Sequence, residues 1–491
     1  MISSLKAVKL NNEVAMIGLD FGSTTSSAMV ALARVAQNSI TGRMQFENFR
    51  VVYRCNPVFT PFSNTKINIK SLENYLNKWL KESKTGHESF FAGGAIVTGI
   101  AAKKTNTEAI ARLIKQKIGR SVIATADDPR LESWLAFMGN SLLISKALPD
   151  IPVINIDIGG GTTNPALGIN GKVISTGCSF IGARHFVFKP GTWQLTEISD
   201  WGMDLLDYLS IKKKIKEEFP TEEINSIINF YIKALEALVK GESDYFNKNG
   251  LKRYNQVPFL IDNILNTHEK QNTVITFSGG VGELVYKYSQ GGSMPGTTHY
   301  GDLGIDIARA ILKSKTLSCS IKDIVPENLG RATVYGLTLH NTQISGTTVF
   351  LSNPDALPLS DIPIVAGLGL NAGPGEINQA LNMVKNCRQG GCIQIGSDLK
   401  NQPERVRLKS VKRLGTTLAL GIKNSGFVKD LPLVLLVEKN FGKTLGNYAS
   451  CWNTIDVNLV VIDEIPDREG HFINIGQIHN NVIPVSFYGV R

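Results

Sequence analysis

The sequence lacks long apolar runs. None of the apolar stretches in its 491 residues approaches the ~20 residues needed to cross a bilayer. Residues 5–13, which a signal peptide would keep apolar, are interrupted by lysines and asparagines. These absences predict a protein without a membrane span, located in the cytoplasm. The length itself is too great for one hydrophobic core and predicts several domains.

The sequence also has few residues of the kinds that build disulfides, zinc sites or hydrolase triads. Its six cysteines are too few and too scattered for a disulfide framework. Cys387 and Cys392 have no second cysteine or histidine pair at zinc spacing, so reduced thiols are expected. No two of the seven histidines are four residues apart, and no Gly-x-Ser-x-Gly elbow occurs. Catalytic zinc and a serine-hydrolase triad are therefore not supported.

A formal net charge of +10 is present without a strong basic cluster. Residues 211–218 place lysines between apolar residues at helical spacing, which predicts a solvated helix face. Residues 405–413 alternate at strand spacing over their first half, which predicts a strand with its charges on one face. That strand is either a solvated edge or a contact for an acidic partner protein. Clusters this weak do not indicate a nucleic-acid partner.

What the sequence does contain is a glycine-rich loop after a buried strand. The apolar segment 153–158, which includes Asp157, runs into Gly159, Gly160, Gly161, Thr162 and Thr163. Glycines let backbone N–H groups approach a polyanion closely, and the threonine hydroxyls add further donors. We interpret this stretch as a phosphate-binding loop.

A second loop near the N-terminus repeats this plan, with Asp20 in the place of Asp157. It continues through Gly22, Ser23, Thr24 and Thr25. Apolar residues on both sides predict a β-hairpin with the loop at its tip, which argues against a Rossmann or Walker site. Two such loops predict two lobes that close on one nucleotide. Because carboxylates repel phosphate, we infer Mg²⁺ between Asp20 and Asp157, held mainly through water.

Other local patterns predict the frame around these loops. A third glycine turn, at Ser278, Gly279 and Gly280, follows a strand and opens a helix. Residues 221–240 have the apolar periodicity of a helix, and Asn170-Gly171 suits a type I′ hairpin turn. Prolines near 150 and glycine and proline breaks beyond 346 predict two lobes, 1–150 and 151–346, and an additional α/β region, 347–491. Within that region, segments 433–437, 442 onward and 458–462 predict one βαβ unit.

Taken in order, residues 20–25, 157–163 and 277–283 resemble the first phosphate, second phosphate and adenosine motifs of the actin, sugar kinase and heat-shock chaperone ATPase superfamily. Residues 128–139 and 330–345 are similar to the helices that join the two lobes there. The resemblance implies a two-lobed, actin-like (ribonuclease H-like) α/β fold that binds ATP and Mg²⁺. It makes Asp20 and Asp157 catalytic candidates. It also suggests that Glu132 orients the attacking water. The alternative is that Glu132 only stabilises its helix, as an acidic residue near the positive end of the helix dipole.

Within this superfamily, the chain looks like the ethanolamine ammonia-lyase reactivating factors. The similar segments cover nearly the whole chain and are residues 56–61, 94–106, 129–133, 155–162, 331–336, 343–346 and 470–476. The chain departs from the family pattern at Pro165, at Asp127-Asp128 and in its basic net charge. Pro165 removes a hydrogen-bond donor from the return strand of the second loop.

This resemblance implies a chaperone-like role. Slow ATP hydrolysis would drive a conformational change that loosens the adenosylcobalamin-dependent lyase, so that damaged cobalamin leaves and intact cofactor enters. The implied partners are the lyase and a nucleotide, and an association with bacterial microcompartment components stays open. A small-molecule (sugar-type) kinase and an actin-like structural protein are the alternatives on the same fold. Residues 437–444 look like a Walker loop without its first glycine, which favours a simple helix start over a second nucleotide site.

Overall fold

Three β-sheets with helices packed on them organise the chain. The computed structural model describes residues 13–39, 42–63, 66–85, 90–98, 106–118, 122–126, 128–242, 244–262, 264–396, 404–427, 430–466 and 470–489. Within them, the three largest sheets are formed by residues 13–126, 153–278 and 342–488. This architecture confirms the predicted α/β fold class, and the division at residues 150 and 346 stays a prediction.

The first sheet carries the loop that begins at Asp20. Its region contains β1 (Glu13–Phe21), β2 (Thr25–Gln37), β3 (Met44–Arg54), β4 (Val58–Phe59), β5 (Phe62–Ser63), β6 (Lys66–Ile67), α1 (Ile69–Ser83), β7 (Phe90–Val97), α2 (Thr107–Ile118) and β8 (Val122–Ala126). The strand order is β3-β2-β1-β7-β8, with β1, β2 and β3 antiparallel and with β7 and β8 parallel to β1. This is the predicted ribonuclease H-like arrangement. Ile17, Leu19 and Phe21 alternate along β1 and meet the buried faces of α1 and α2.

The second sheet repeats the centre of that arrangement, in which the strand that carries the aspartate lies between one antiparallel and one parallel neighbour. Its region contains α3 (Pro129–Asn140), α4 (Leu142–Ala147), β9 (Val153–Ile158), β10 (Thr163–Ile169), β11 (Lys172–Thr176), β12 (Cys178–Ser179), β13 (Phe186–Phe188), β14 (Leu195–Ile198), α5 (Asp200–Tyr208), α6 (Thr221–Lys240), α7 (Tyr245–Lys248), β15 (Asn255–Val257), α8 (Thr267–Gln271), β16 (Val274–Ser278), α9 (Gly279–Ser289) and α10 (Gly304–Lys313). β9 is antiparallel to β10 and parallel to β16. Helix α6 has the predicted bounds, and Asn170 and Gly171 both have positive φ, as a type I′ turn requires.

Pro165 lies in β10, opposite a break between two short strands. Its carbonyl accepts a hydrogen bond from Gly177 N at 2.9 Å, and Gly177 separates β11 from β12. In an antiparallel strand, the N–H and C=O of one residue point to the same neighbour. The donor that proline lacks therefore falls at an interruption of the neighbouring strand, where a proline is tolerated.

The third sheet joins parallel and antiparallel strands. Its region contains α11 (Ala332–Leu339), β17 (Thr342–Ile344), β18 (Phe350–Leu351), β19 (Leu359–Gly369), α12 (Pro374–Lys385), β20 (Gly391–Gly396), α13 (Glu404–Ser425), β21 (Leu433–Val437), α14 (Gly442–Ala449), β22 (Leu459–Ile462), β23 (Phe472–Ile475) and β24 (Pro484–Tyr488), with short 3-10 helices at 252–254, 329–331 and 354–356 in the chain. The strand order is β17-β24-β23-β19-β20-β21-β22-β18, with β19 to β22 parallel. The predicted βαβ unit is confirmed as β21, α14 and β22.

The two helices predicted to join the lobes cross at a pair of glycines. A Cβ on Gly139 of α3 would come under 3.0 Å of the Ala332 carbonyl, and a Cβ on Gly336 of α11 would do the same to the Leu135 carbonyl. Helix α11 also lies against the first sheet, since a Cβ on Gly18 would meet the backbone of Val334. The helices therefore touch backbone to backbone between the phosphate-loop sheets.

Two charged segments differ from their predicted structures. Residues 211–218 are not helical, because Leu195 takes their hydrogen bonds: Leu195 N donates to Glu217 O and Lys216 N donates to Leu195 O. Residues 405–413 belong to helix α13 rather than to a strand. The short alternation was misleading, since the buried residues of the full segment, Val411, Leu414, Leu418 and Ile422, follow helical spacing.

Asp128 connects the end of the chain to α3. Its Oδ1 accepts from Leu131 N at 3.1 Å and caps the helix, while its Oδ2 accepts from Gly489 N at 2.6 Å. Asp127, the other residue of this departure from the family pattern, lies outside the described residues. A single carboxylate thus accepts hydrogen bonds from α3 and from the residue that directly follows β24 of the third sheet.

We expect Asp128→Ala to lower the free energy of unfolding by about 2 kcal/mol, because a helix cap and a second acceptor are both lost. Asp128→Asn is the matched control. It keeps a capping oxygen and should cost about half as much. Denaturant unfolding of the two variants beside the wild type measures the difference. Equal stability of all three proteins would contradict the double role of this carboxylate.

Candidate functional site

The two phosphate-loop hairpins have the same backbone geometry. Gly22 N donates to Thr25 O at 2.9 Å, and Gly159 N donates to Thr162 O at 2.9 Å. In each hairpin the aspartate lies two residues before the glycine, near the end of the buried strand. The repeated sequence motif therefore corresponds to a repeated structure.

The loops face each other across one cavity of about 510 Å³. A Cβ on Gly160 would come under 3.0 Å of the Thr24 hydroxyl, so only glycine allows this approach of one lobe to the other. Among the predicted site residues, those that line the cavity are Asp20, Gly22, Ser23, Thr24, Thr25, Glu132, Asp157, Gly159, Gly160, Gly161, Thr162, Gly279 and Gly280. Both loops, the joining helix and the third glycine turn therefore meet at one place.

The three predicted carboxyl groups face this cavity, Glu132 and Asp157 from buried positions and Asp20 from a half-buried one. Burial, followed by the charge of Asp157, raises the pKa of Asp20 to about 7, against a hydrogen bond from Thr98 Oγ1 at 3.4 Å. Burial raises the pKa of Asp157 to about 6, against a 2.5 Å hydrogen bond from Ser278 Oγ. Burial, and then the charges of Asp157 and Asp20, raise the pKa of Glu132 as well. No lysine or arginine contributes to any of the three shifts. The ionised forms consequently require a positive charge from elsewhere.

The donor chemistry of this cluster fits a hard divalent cation. Carboxylate oxygens are the ligands that Mg²⁺ takes from proteins, usually one or two with water completing the shell. In the described part of the chain, no group of three or more acidic, histidine or cysteine side chains is placed to hold a metal directly. Binding of Mg²⁺ between Asp20 and Asp157, mainly through water, stays a prediction.

Two threonines that the site prediction missed support the first loop. Thr60 Oγ1 donates to Gly22 O at 2.7 Å, and Thr60 N donates to Thr24 O at 3.0 Å. Thr98 N donates to Phe21 O at 3.1 Å, and Thr98 Oγ1 reaches Asp20. Both threonines lie in segments 56–61 and 94–106, which resemble the family. Those segments were the available signal, although nothing in them shows which loop they contact.

The second loop is supported by the segment that follows β12. Ala183 N donates to Gly159 O at 3.1 Å, and Arg184 N donates to Gly160 O at 2.7 Å. Behind them lies His185, which is buried and whose Nδ1 is 2.8 Å from Ser199 Oγ. Burial lowers the pKa of His185 to about 4, so the imidazole is neutral in the folded protein at neutral pH.

This histidine should make stability depend on pH. Its pKa is about 6.5 when unfolded and about 4 when folded, so the unfolded chain binds more protons between these values. Stability therefore falls as the pH drops from 6.5 towards 4. We expect the unfolding free energy of the wild type, relative to His185→Asn, to rise by about 2 kcal/mol between pH 5 and pH 7. Denaturation at both pH values tests this, and a difference independent of pH would contradict it.

Two of the predicted nucleotide-binding residues, Thr163 and Ser278, lie behind the cavity rather than on its wall. Thr163 is fully buried, and its hydroxyl donates to Ile181 O at 2.9 Å. Ser278 is also buried and acts on the site through its hydrogen bond to Asp157. The turn after Ser278 opens α9, whose residues Gly280, Glu283 and Lys287 do face the cavity.

The Walker-like segment does not form a comparable site. Helix α14 begins at Gly442, and its first amide is 3.4 Å from Asp463 Oδ2. A carboxylate thus already occupies the positive end of the helix, which disfavours a phosphate there.

All six cysteines are free, as expected. In the portion of the chain that the structure describes, no helix is both long and apolar enough to cross a membrane.

The family model described as Ethanolamine utilisation protein EutA matches residues 12–488 of the chain. The chain belongs to this family. The predicted family resemblance is thereby confirmed across both phosphate loops and the third sheet. Two relatives of the EutA family are each described as Ethanolamine ammonia-lyase reactivase EutA. The protein from Escherichia coli (strain K12) is 25% identical, and that from Salmonella typhimurium (strain LT2) is 26% identical. Each alignment covers 96% of this chain and 97% of the relative.

Among solved structures, an exopolyphosphatase from Cytophaga hutchinsonii is 14% identical, with a TM-score of 0.32. The match covers 56% of this chain and 70% of the exopolyphosphatase.

Proposed function

We propose that this chain is an ATP-dependent reactivating factor for adenosylcobalamin-dependent ethanolamine ammonia-lyase. The observation that carries the proposal is the near full-length match to two proteins described as reactivases of that lyase. The match includes both aspartate loops and the third sheet, so it concerns the whole molecule. The proposed substrates are ATP and water, and the proposed partner is the lyase. The chain would act beside the lyase, in the cytoplasm or in a bacterial microcompartment.

In this proposal, the cavity between the hairpins binds the nucleotide. Backbone amides and hydroxyls of residues 22–25 and 159–162 would hold its phosphates, and α9 would contact the nucleoside. Asp20 and Asp157 would hold Mg²⁺ through water, and the ion would supply positive charge to the phosphates. Glu132 would hold a water molecule through its carboxylate, because it reaches the same cavity from the start of α3.

The same cavity suggests how a nucleotide could act on another protein. Nucleotides shift a conformational equilibrium only when the two conformations bind them differently. The close crossing of α3 and α11 supports a joint between the lobes, since tightly packed helices can take discrete positions. A switch of this kind requires that ATP bind one conformation more tightly than the other by on the order of a few kcal/mol. The conformation that ATP favours would then bind the lyase with a different affinity.

Recovery of enzyme activity tests the proposal. Lyase inactivated with cyanocobalamin is incubated with this chain, free adenosylcobalamin, Mg²⁺ and ATP, with ADP in place of ATP as the control. We expect lyase activity to return only in the complete mixture with ATP. The proposal fails if no activity returns and phosphate instead appears on ethanolamine or a sugar, which would indicate the kinase alternative.

A further inference from the structure

Helix α13 is basic and has no acidic residues to balance its charge after its first residue. Residues 405–427 contain six lysines and arginines and no aspartate or glutamate. Lys409, Lys412 and Arg413 are exposed, and no ion pair of the described residues involves them. Exposed helices are usually stabilised by pairs of opposite charge three or four residues apart. This helix therefore presents positive charge that no acidic side chain pairs with among the described residues.

An exposed tryptophan lies beside these charges. Trp452 follows α14, is 60% exposed, and has its ring 4.6 Å from that of Tyr448. Lys412 Nζ is 5.7 Å from the Tyr448 ring, and the backbone of Gly415 packs against Tyr448. The basic aromatic surface, which we define as Lys409, Lys412, Arg413, Tyr448 and Trp452, is therefore contiguous.

The backbone holds the tryptophan outward at an energetic cost. Cys451, Trp452 and Asn453 have φ values of 51°, 56° and 61°, the left-handed region that bulky residues rarely adopt. Hydrogen bonds fix this conformation, including Trp452 N to Asn447 O at 2.7 Å and Asn453 N to Ser450 Oγ at 3.0 Å. A strained conformation that persists and exposes a large ring is a common property of binding sites.

The rest of the exposed face of α13 is also suited to a protein partner. Leu420, 57% exposed, lies on the same side of the helix as Arg413, seven residues earlier. Tryptophan and arginine are the residues that most often contribute a large share of the affinity at protein interfaces. A polyphosphate backbone would instead be matched by a longer row of cations without exposed leucine.

We propose that the basic aromatic surface is where this chain docks on an acidic, partly apolar face of ethanolamine ammonia-lyase. The inference rests on the proposed function, because the lyase is the partner named there. The surface is formed by helices of the third sheet, whereas the nucleotide cavity is lined by elements of the first two sheets and by the start of α11. Docking and ATP turnover therefore use separate residues and can be altered independently.

Binding to immobilised, cyanocobalamin-inactivated lyase tests the proposal with the full chain. The first variant combines Lys409→Glu, Lys412→Glu and Arg413→Glu, and the second is Trp452→Ala. The matched control combines Lys212→Glu, Lys214→Glu and Lys233→Glu, which changes the net charge equally at exposed sites elsewhere. We expect both surface variants to raise the Kd about tenfold or more and the control to stay within about twofold. Raising the salt concentration should weaken binding of the wild type and not of the charge-reversed variant.

Unchanged affinity of both surface variants would overturn the docking site, and recovery of lyase activity by the wild type would leave the proposed function standing. If the wild type neither binds nor reactivates the lyase, both the proposed function and the lyase as the partner of this surface are overturned. Loss of affinity for duplex DNA, but not for the lyase, in the charge-reversed variant would also overturn the proposal. Thermal melting and ATP turnover like those of the wild type would show that a loss of binding comes from the surface and not from misfolding.

Discussion

Asp157→Asn is expected to leave the fold intact and to abolish ATP hydrolysis, with a loss of at least about a hundredfold in turnover. The asparagine side chain would keep an oxygen that accepts the Ser278 hydroxyl, which is 2.5 Å from Asp157 Oδ1 in the wild type. It would not carry the negative charge that the proposed Mg²⁺ site requires. Removal of a buried carboxylate whose pKa is raised should leave the stability equal or higher.

Asp463→Asn is the matched control for this substitution. Asp463 is also a buried aspartate with a raised pKa, but it lies beside Thr348 and the start of α14 in the third sheet. Phosphate release by the two variants and the wild type is measured at saturating ATP and Mg²⁺. Asp463→Asn should hydrolyse ATP like the wild type. Unchanged turnover by Asp157→Asn would remove Asp157 from the site.

Gly336→Ala is expected to destabilise the protein by about 3 kcal/mol or more. The added methyl group would overlap the backbone of Leu135 where α11 crosses α3, and neither backbone can move without shifting a whole helix. Because this crossing lies between the lobes, we also expect weaker ATP binding in the protein that remains folded. Thermal melting and calorimetric titration with ATP measure the two effects.

Gly375→Ala provides the control for the helical glycine. Gly375 lies in α12, and a Cβ there would meet nothing within 4 Å. The substitution should be neutral or stabilise the protein by up to about 1 kcal/mol, because alanine favours helix more than glycine does. Equal stability of the two glycine variants would contradict the conclusion that close backbone packing stabilises the crossing of α3 and α11.

The parts of the fold that local chemistry determines could be predicted from the sequence. The two aspartate hairpins, the turn at Asn170-Gly171 and helix α6 depend on neighbours within a few residues. Residues 211–218 could not be predicted in this way, because their hydrogen bonds go to Leu195 in another hairpin. Residues 405–413 were misassigned because a window of nine residues is too short to separate strand alternation from helix periodicity.

The same distinction applies to the candidate site. An aspartate followed within a few residues by glycines predicts a phosphate loop from the local sequence alone. Most of these aspartates and glycines line the cavity. Thr60, Thr98 and His185 support the loops from distant segments, so no local pattern assigns them to the site. Thr163 has the residue type of a phosphate ligand, yet its hydroxyl bonds to Ile181, and only the fold determines that choice.

Release of bound cyanocobalamin from the inactivated lyase tests the central claim most directly. The lyase is mixed with this chain, Mg²⁺ and either ATP or ADP, and the cobalamin that passes a protein-retaining membrane is measured by absorbance. We predict release with ATP, and no more than the chain-free level with ADP or with Asp157→Asn. Cobalamin that stays on the lyase in the presence of ATP and an ATP-binding wild-type chain would contradict the account.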